Sequence, residues 1–340
     1  LFKPIHDTRR RLGWWRQERR DLRAVDDSID HLRGPTGVEL RPDQCVLLCV
    51  LRNAEYHLPC FVDHHRALGV THMVFLDNGS DDGTVDYLRG LHGVTVLRST
   101  LPFADYKARF KQYLVRRFGR RGWSLTLDSD ELWQYPGDAG VPFRDLLRYL
   151  NGQRYTGVMA HLLDHFSPGP LMRKTPFGRG LRDRYPLFDL DGLIARDYDE
   201  ADNHVALDTP LHYWGGVSNT RFGIPEIYLT KIPLLRWHRR VRAYETSHVS
   251  RGLRLADLTT VIRHFRFTDR FADKLRRVVA EGQYYRRSEY YRRYQAALEQ
   301  QPALRLDGPT AQRFRDADDL VRRRFLQVGP RYRDFAGVAA

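Results

Sequence analysis

Cys45-Val46-Leu47-Leu48-Cys49-Val50-Leu51 is an unbroken apolar run bounded by polar residues. It is too short for a buried helix or a membrane span, and it reads as a strand covered on both faces. Such a strand needs helices above and below it, and the following sequence supplies them. Leu58, Phe61, Val62, His65 and Leu68 recur at helical spacing and stop at Gly69. Residues 70–76 read as a second strand, 85–90 as a short helix and 94–97 as a third strand. A basic amphipathic helix over 105–118 ends at Gly119, and 123–127 read as a fourth strand. Strand-helix alternation with short loops predicts an α/β fold built on a mostly parallel, Rossmann-like sheet. Right-handed crossovers then place a ligand crevice at the carboxyl ends of the strands.

The flanking regions are less regular. Residues 1–40 read as a basic amphipathic arm, with Leu22, Val25, Ile29 and Leu32 as one apolar stripe, ended by Arg33-Gly34-Pro35. Its opening, Leu1-Phe2-Lys3-Pro4, does not read as a signal peptide. Residues 158–163, 227–237 and 259–267 carry strand-like runs, and 167–225 read as long functional loops. One helix is predicted from Phe271 to about Leu298, within a helical C-terminal extension over 271–340. Hydrophobic residues at 42% supply a core, which excludes a disordered chain. Three cysteines are too few for a disulfide scaffold and lack zinc-site spacing. The net charge of +14 leaves nucleic acid, an anionic membrane surface or a phosphate-bearing substrate as partners.

Two acidic turns follow buried strands. Asp77-Asn78-Gly79-Ser80-Asp81-Asp82-Gly83-Thr84 follows Leu76, and Asp128-Ser129-Asp130-Glu131 follows Leu127. Acidic groups at strand ends face the crevice, where Asp77 can accept from a base or ribose. Asp128 and Asp130 can hold Mn²⁺ or Mg²⁺ with open positions for phosphate oxygens. Asp-x-Asp is weak evidence alone, because the chain also has Asp189/Asp191, Asp197/Asp199 and Asp316/Asp318. Only Asp128/Asp130 directly follows a buried strand. His161 and His165 can share a face, but they read as structural. Tyr284, Tyr285, Tyr290, Tyr291 and Tyr294 alternate with arginine pairs, which fits an aromatic-rich packed helix, a base-stacking surface or a membrane interface.

The ordered segments Arg52-Asn53-Ala54-Glu55, Leu68-Gly69-Val70, Asp77-Asn78-Gly79-Ser80-Asp81-Asp82-Gly83-Thr84 and Leu127-Asp128-Ser129-Asp130-Glu131 resemble family 2-type glycosyltransferases. They are most similar to the branch related to family 92. The resemblance spans residues 44–135; Lys231-Ile232-Pro233-Leu234-Leu235-Arg236-Trp237, His248 and Ile262-Arg263-His264-Phe265 extend it. It implies a GT-A fold over 41–270, with a nucleotide-sugar half at 41–135 and an acceptor half at 136–270. It also implies that Arg52, Asn53, Asp77, Asn78, Lys107, Asp128, Ser129 and Lys231 bind the nucleotide sugar. Asp128, Asp130 and His248 would hold the metal, with His264 as the alternative to His248. An inverting mechanism needs a carboxylate base near the acceptor. Asp164, Asp189, Asp191 and Glu226 are candidates, with Asp191 and Asp164 placed first. Lys107 and Arg109 stand where the branch has Gln or Asn, adding charge near the diphosphate.

The resemblance therefore implies a metal-dependent glycosyltransferase. It would move a sugar from a nucleotide-diphosphate donor, UDP-sugar favoured, to a glycan or lipid-linked acceptor, as in surface polysaccharide assembly. A cytoplasmic setting, peripheral to the inner face of the membrane, goes with that expectation. Two rivals remain: a basic nucleic-acid-binding module, which lacks any standard binding motif, and a nucleotidyltransferase, which would want a glycine in Leu51-Arg52-Asn53-Ala54.

Overall fold

A computed structural model describes residues 5–174, 180–199, 202–282 and 285–339, with side chains described except over 5–15 and 285–288. The first half runs α1 (Ile5–Asp27), β1 (Asp30–Arg33), β2 (Cys45–Leu51), α2 (Leu58–Leu68), β3 (His72–Asp77), α3 (Thr84–Arg89) and β4 (Val94–Arg98). It continues through α4 (Phe103–Phe118), β5 (Trp123–Thr126), β6 (Glu131–Gln134), α5 (Phe143–Gly152) and β7 (Gly157–Asp164). Short elements follow: α6 (Leu181–Arg184), β8 (Leu187–Phe188), β9 (Leu193–Asp197), β10 (His204–Val205), β11 (Leu211–Gly215) and α7 (Val217–Phe222). The chain ends with β12 (Thr230–Leu235), β13 (Arg254–His264), α8 (Phe271–Glu281), α9 (Tyr285–Gln300), β14 (Gln312–Arg313), α10 (Ala317–Arg322) and α11 (Pro330–Ala336).

The large central sheet has the order β1-β4-β3-β2-β5-β12-β7-β13-β10, with β6 paired to β13. Pairing is parallel across β4-β3-β2-β5 and β7-β13-β10, while β1, β6 and β12 run antiparallel to their neighbours. This mixed α/β layout, a mostly parallel sheet flanked by helices, is compatible with a GT-A-like fold. Strand β2 shows why. Its residues Cys45, Leu47, Cys49 and Leu51 enter one apolar cluster with α2 and α5, while Val46, Leu48 and Val50 enter the other with α4. Both faces are therefore dry, as the seven-residue apolar run requires.

Three expectations need correction. The arm helix stops at Asp27, and residues 30–33 form an edge strand on β4, so Ile29 and Leu32 leave the helical stripe. Val25 is fully buried, and α1 lies on α4 through Glu18–Arg116 and Asp21–Arg109 ion pairs at 3.0 and 3.5 Å. The single helix from Phe271 is two, because Gly282 takes a left-handed conformation (φ 61°) that closes α8. The C-terminal residues are not a separate extension: Ala317, Leu320, Phe325, Tyr332 and Val338 belong to the main core. Residues 1–4 and Tyr284, together with the side chains of Tyr285, Arg286 and Arg287, lie outside what is described.

Candidate functional site

The sheet grows from β2 through β3 and β4 on one side and through β5 on the other. This reversal opens a crevice at the carboxyl ends of β2 and β5, the usual ligand position in such sheets. A cavity of about 1250 Å³ occupies that place. Arg52, Asn53, Lys107 and Asp128 to Glu131 line it from the first half; Glu226, His248, His264, Arg266 and Lys274 line it from the second.

Asp77-to-Thr84 is a clasp for the loop after β2. Asn53, held at a positive φ of 53°, donates its amide to Asp81 Oδ1 at 2.6 Å and accepts from the Asp81 backbone N–H at 2.9 Å. The Asn53 N–H donates to Ser80 Oγ, and the Ala54 N–H to Thr84 Oγ1, both at 2.8 Å. Gly83 donates to Glu55 Oε2, and a Cβ there would meet the Glu55 carboxylate at 2.4 Å and push it aside. Asp77 is fully buried, bound by Arg98 Nε at 3.0 Å and by the Gly79 and Ser80 N–H groups. Asn78 donates to the Ser99 and Leu101 carbonyls. Neither Asp77 nor Asn78 lines the cavity, which corrects their expected contact with the nucleotide. Asn53, Arg52, Lys107 and Ser129 do line it.

The turn after β5 is held by its own carboxylates. Glu131 accepts from the Asp128 N–H at 2.9 Å and ion-pairs with Lys231, both partners of that pair being buried. The Asp130 carbonyl accepts from the Phe265 N–H at 2.7 Å, which ties the turn to the end of β13. Asp128 meets Lys111 Nζ at 2.9 Å through Oδ1 and Lys107 Nζ at 3.5 Å through Oδ2. Burial pushes the Asp128 carboxyl up, but Lys107, Lys111 and Lys231 outweigh it and hold it well below the usual carboxylate range. Asp130 faces Lys274 Nζ at 3.2 Å and His264 Nε2 at 3.8 Å. Burial raises its pKa too, and Lys274 with His264 brings it well below the usual range.

Asp164 closes β7 and is 5% exposed. It accepts from His264 Nδ1 at 2.8 Å and takes both carboxylate oxygens to Arg266 Nη2 at 3.0 and 3.1 Å. Burial opposes its ionisation, but Arg266 and His264 hold its pKa at about 2. Asp164 is outside the cavity lining and reaches it through these two partners. Asp191 is exposed, donates its N–H to Asp189, and is likewise outside the lining, so the structure does not bring it to the site. Of the four carboxylates weighed as base, Glu226 lines the cavity.

His248 lines the cavity, and burial, then Lys231, Lys107 and Lys111, lower its pKa to about 3, so it is neutral. Its Nδ1, Arg52 Nε and Arg266 Nε are buried atoms without a hydrogen-bond partner, all in residues of this cavity. A divalent ion does not fit the side chains as placed. Both Asp128 oxygens face ammonium groups, and among the described residues no three His, Cys, Asp or Glu side chains converge as a metal site.

Other candidates resolve as structure. His161 and His165 are buried and bond to Thr230 and the Tyr185 carbonyl. Tyr294, 1% exposed, bonds to Ser218 at 2.7 Å inside a third apolar cluster, so it offers no face to a base, whereas Tyr290 and Tyr291 line the cavity. Sequence reasoning passed over Lys111 and Lys274. Lys111 had a signal, the four-residue spacing from Lys107 on one helix face; Lys274 had none, since its helix read as an extension.

No family model matches the chain, and no curated protein matches it. Solved structures do match, among them the crystal structure of S. aureus TarS, at 14% identity and a TM-score of 0.29. That alignment covers 40% of this chain and 23% of TarS, so the chain spans about a quarter of that protein's length.

Proposed function

We propose that the chain is a glycosyltransferase that moves a sugar from a nucleotide-diphosphate donor, a UDP-sugar first, onto a glycan or lipid-linked acceptor. The observation that supports this reading is the crevice at the β2/β5 reversal, with Arg52, Lys107 and Lys274 beside Asp128 and Asp130. Its volume of about 1250 Å³ holds a nucleotide sugar together with part of an acceptor. Arg52 and Arg266 bring two guanidinium groups to the cavity wall. The rival nucleic-acid module keeps the charge of +14 as its motive but loses Tyr294 as a base-stacking face, because that ring lies in the core.

In the proposed reaction the acceptor oxygen attacks the anomeric carbon as the bond from that carbon to the diphosphate oxygen breaks. The electron pair leaves with the nucleoside diphosphate, whose charge Arg52, Lys107 and Lys274 meet. The acceptor proton passes to Glu226, the one of the four candidate bases that lines the cavity. Asp164 acts as a positioning residue that orients His264 and Arg266.

A panel of nucleotide sugars tests this by thermal stabilisation and by slow donor hydrolysis. Stabilisation by one donor class is expected, and Glu226→Gln should keep it while lowering transfer by about 10²–10⁴-fold. A protein indifferent to every nucleotide sugar and nucleoside diphosphate would sink the reading.

A further inference from the structure

Four ammonium groups converge on the three carboxylates of the turn after β5. Lys107 and Lys111 come from one face of α4, Lys231 from β12 and Lys274 from α8. They divide into two sets. Lys111 and Lys231 are 1% and 2% exposed and do not line the cavity; Lys111 answers the partly exposed Asp128, and Lys231 the buried Glu131. Lys107 and Lys274 have side chains 28% and 29% exposed, and both line the cavity. A buried ammonium is costly unless a carboxylate answers it, so Asp128 is committed to Lys111 whatever else the site holds. A divalent ion on the same carboxylate would have to displace Lys107 from Oδ2 and sit beside the buried Lys111 charge.

We infer that Asp128 and Asp130 anchor a set of lysines, and that Lys107 and Lys274 take the donor's diphosphate in place of a divalent ion. The inference rests on the glycosyltransferase reading and specifies the chemistry of its leaving-group site. Bond making and breaking are as described above; the lysines remain protonated throughout and neutralise the charge that develops on the departing diphosphate. Ammonium groups on fixed carboxylates supply charge without being lost to a chelator.

The test is calorimetric titration of the purified full chain with UDP and with GDP, once in excess EDTA and once in Mn²⁺. The expected result is binding of a nucleoside diphosphate with the same affinity in both buffers. Lys107→Gln and Lys274→Gln should each weaken that binding about tenfold, and the Lys107 variant should keep the thermal midpoint because Asp128 retains Lys111. Lys111→Met should instead lower the midpoint, since it removes the buried and nearer of the two ammonium groups on Asp128. Binding that requires Mn²⁺, disappears in EDTA and ignores Lys107→Gln would overturn the lysine assignment and leave the glycosyltransferase reading standing. Absence of binding by any nucleoside diphosphate in either buffer would overturn both.

Discussion

Buried ionisable residues make the stability of this chain sensitive to acid in two stages. His161 is fully buried with Nδ1 on Thr230, and burial lowers its pKa from 6.5 to about 3. In the unfolded chain the same imidazole takes its proton near 6.5. Between those values the unfolded state binds more protons, so stability is lost as pH falls from 6.5 towards 3. Each such histidine contributes a slope of about 1.4 kcal/mol per pH unit over its window. His64, lowered to about 4 by burial, acts in the same direction. The carboxylates act later: Asp164, held at about 2 against an ordinary 3.8, stabilises the fold above 3.8 and loses that contribution as pH drops towards 2. Thermal midpoints measured from pH 7.5 downward should therefore begin to fall near 6.5, above the window in which Asp164 titrates. His161→Leu should flatten that upper limb by one proton's worth; an unchanged slope would contradict the assignment. Asp128 and Asp130 were legible because a buried strand delivers them to the crevice. Asp77 sits at a strand end too, yet Arg98 and two loop N–H groups use up its carboxylate. Strand-end position alone does not separate a ligand contact from a turn organiser.

At the scale of elements, α8 decides how the crevice is walled. It reaches the first half through Lys274 on Asp130 and through Glu281, which pairs with Arg52 at 2.9 and 3.1 Å. A diphosphate arriving beside Arg52 competes with Glu281 for the guanidinium. Glu281→Gln is therefore expected to tighten UDP or GDP binding about threefold, the scale of a partly exposed ion pair, with a weaker effect at high salt. Weaker binding in this variant would mean that the pair holds the wall in place rather than competing with ligand. Gly282 ends α8 at φ 61°, so Gly282→Ala should cost about 1 kcal/mol in denaturant melts. Residues 271–298 contain no proline and only one glycine, which is why the sequence reads as one helix. A glycine inside a helical pattern has the same letter whether it is tolerated or left-handed. The arm fails for a related reason. Ile29 and Leu32 keep helical phase, but β4 needs an edge partner, and Ser28 turns the chain by bonding to the Val25 carbonyl and Ser99 Oγ. Local periodicity carries no record of that tertiary demand. The α/β core over 45–126 was readable because each of its strands is buried on both faces and each helix ends on a glycine or a turn.

Over the whole molecule the charge of +14 is not concentrated in the crevice, where acids and bases interleave. The Glu18–Arg116 and Asp21–Arg109 contacts run α1 antiparallel to α4, which sets Arg19 and Arg20 toward the α4 end that carries Arg117 and leads into the turn with Arg120 and Arg121. All five of these arginines are exposed, and Arg120 lies over the Trp237 ring at 5.8 Å. Among the described residues no helix is long and apolar enough to cross a membrane, and this arginine face offers an electrostatic route to an anionic lipid surface. Such arginines contribute about 1 kcal/mol each at an anionic surface and lose it within a Debye length. Cosedimentation with phosphatidylserine-containing vesicles is expected, absent for pure phosphatidylcholine and falling as salt is raised. Exchanging Arg117, Arg120 and Arg121 for Glu should abolish it while nucleoside diphosphate binding in the crevice is kept, because none of the three lines that cavity. Equal binding to neutral vesicles would sink the electrostatic account. RNA or DNA binding that survives about 200 mM salt would transfer this basic face to the nucleic-acid reading.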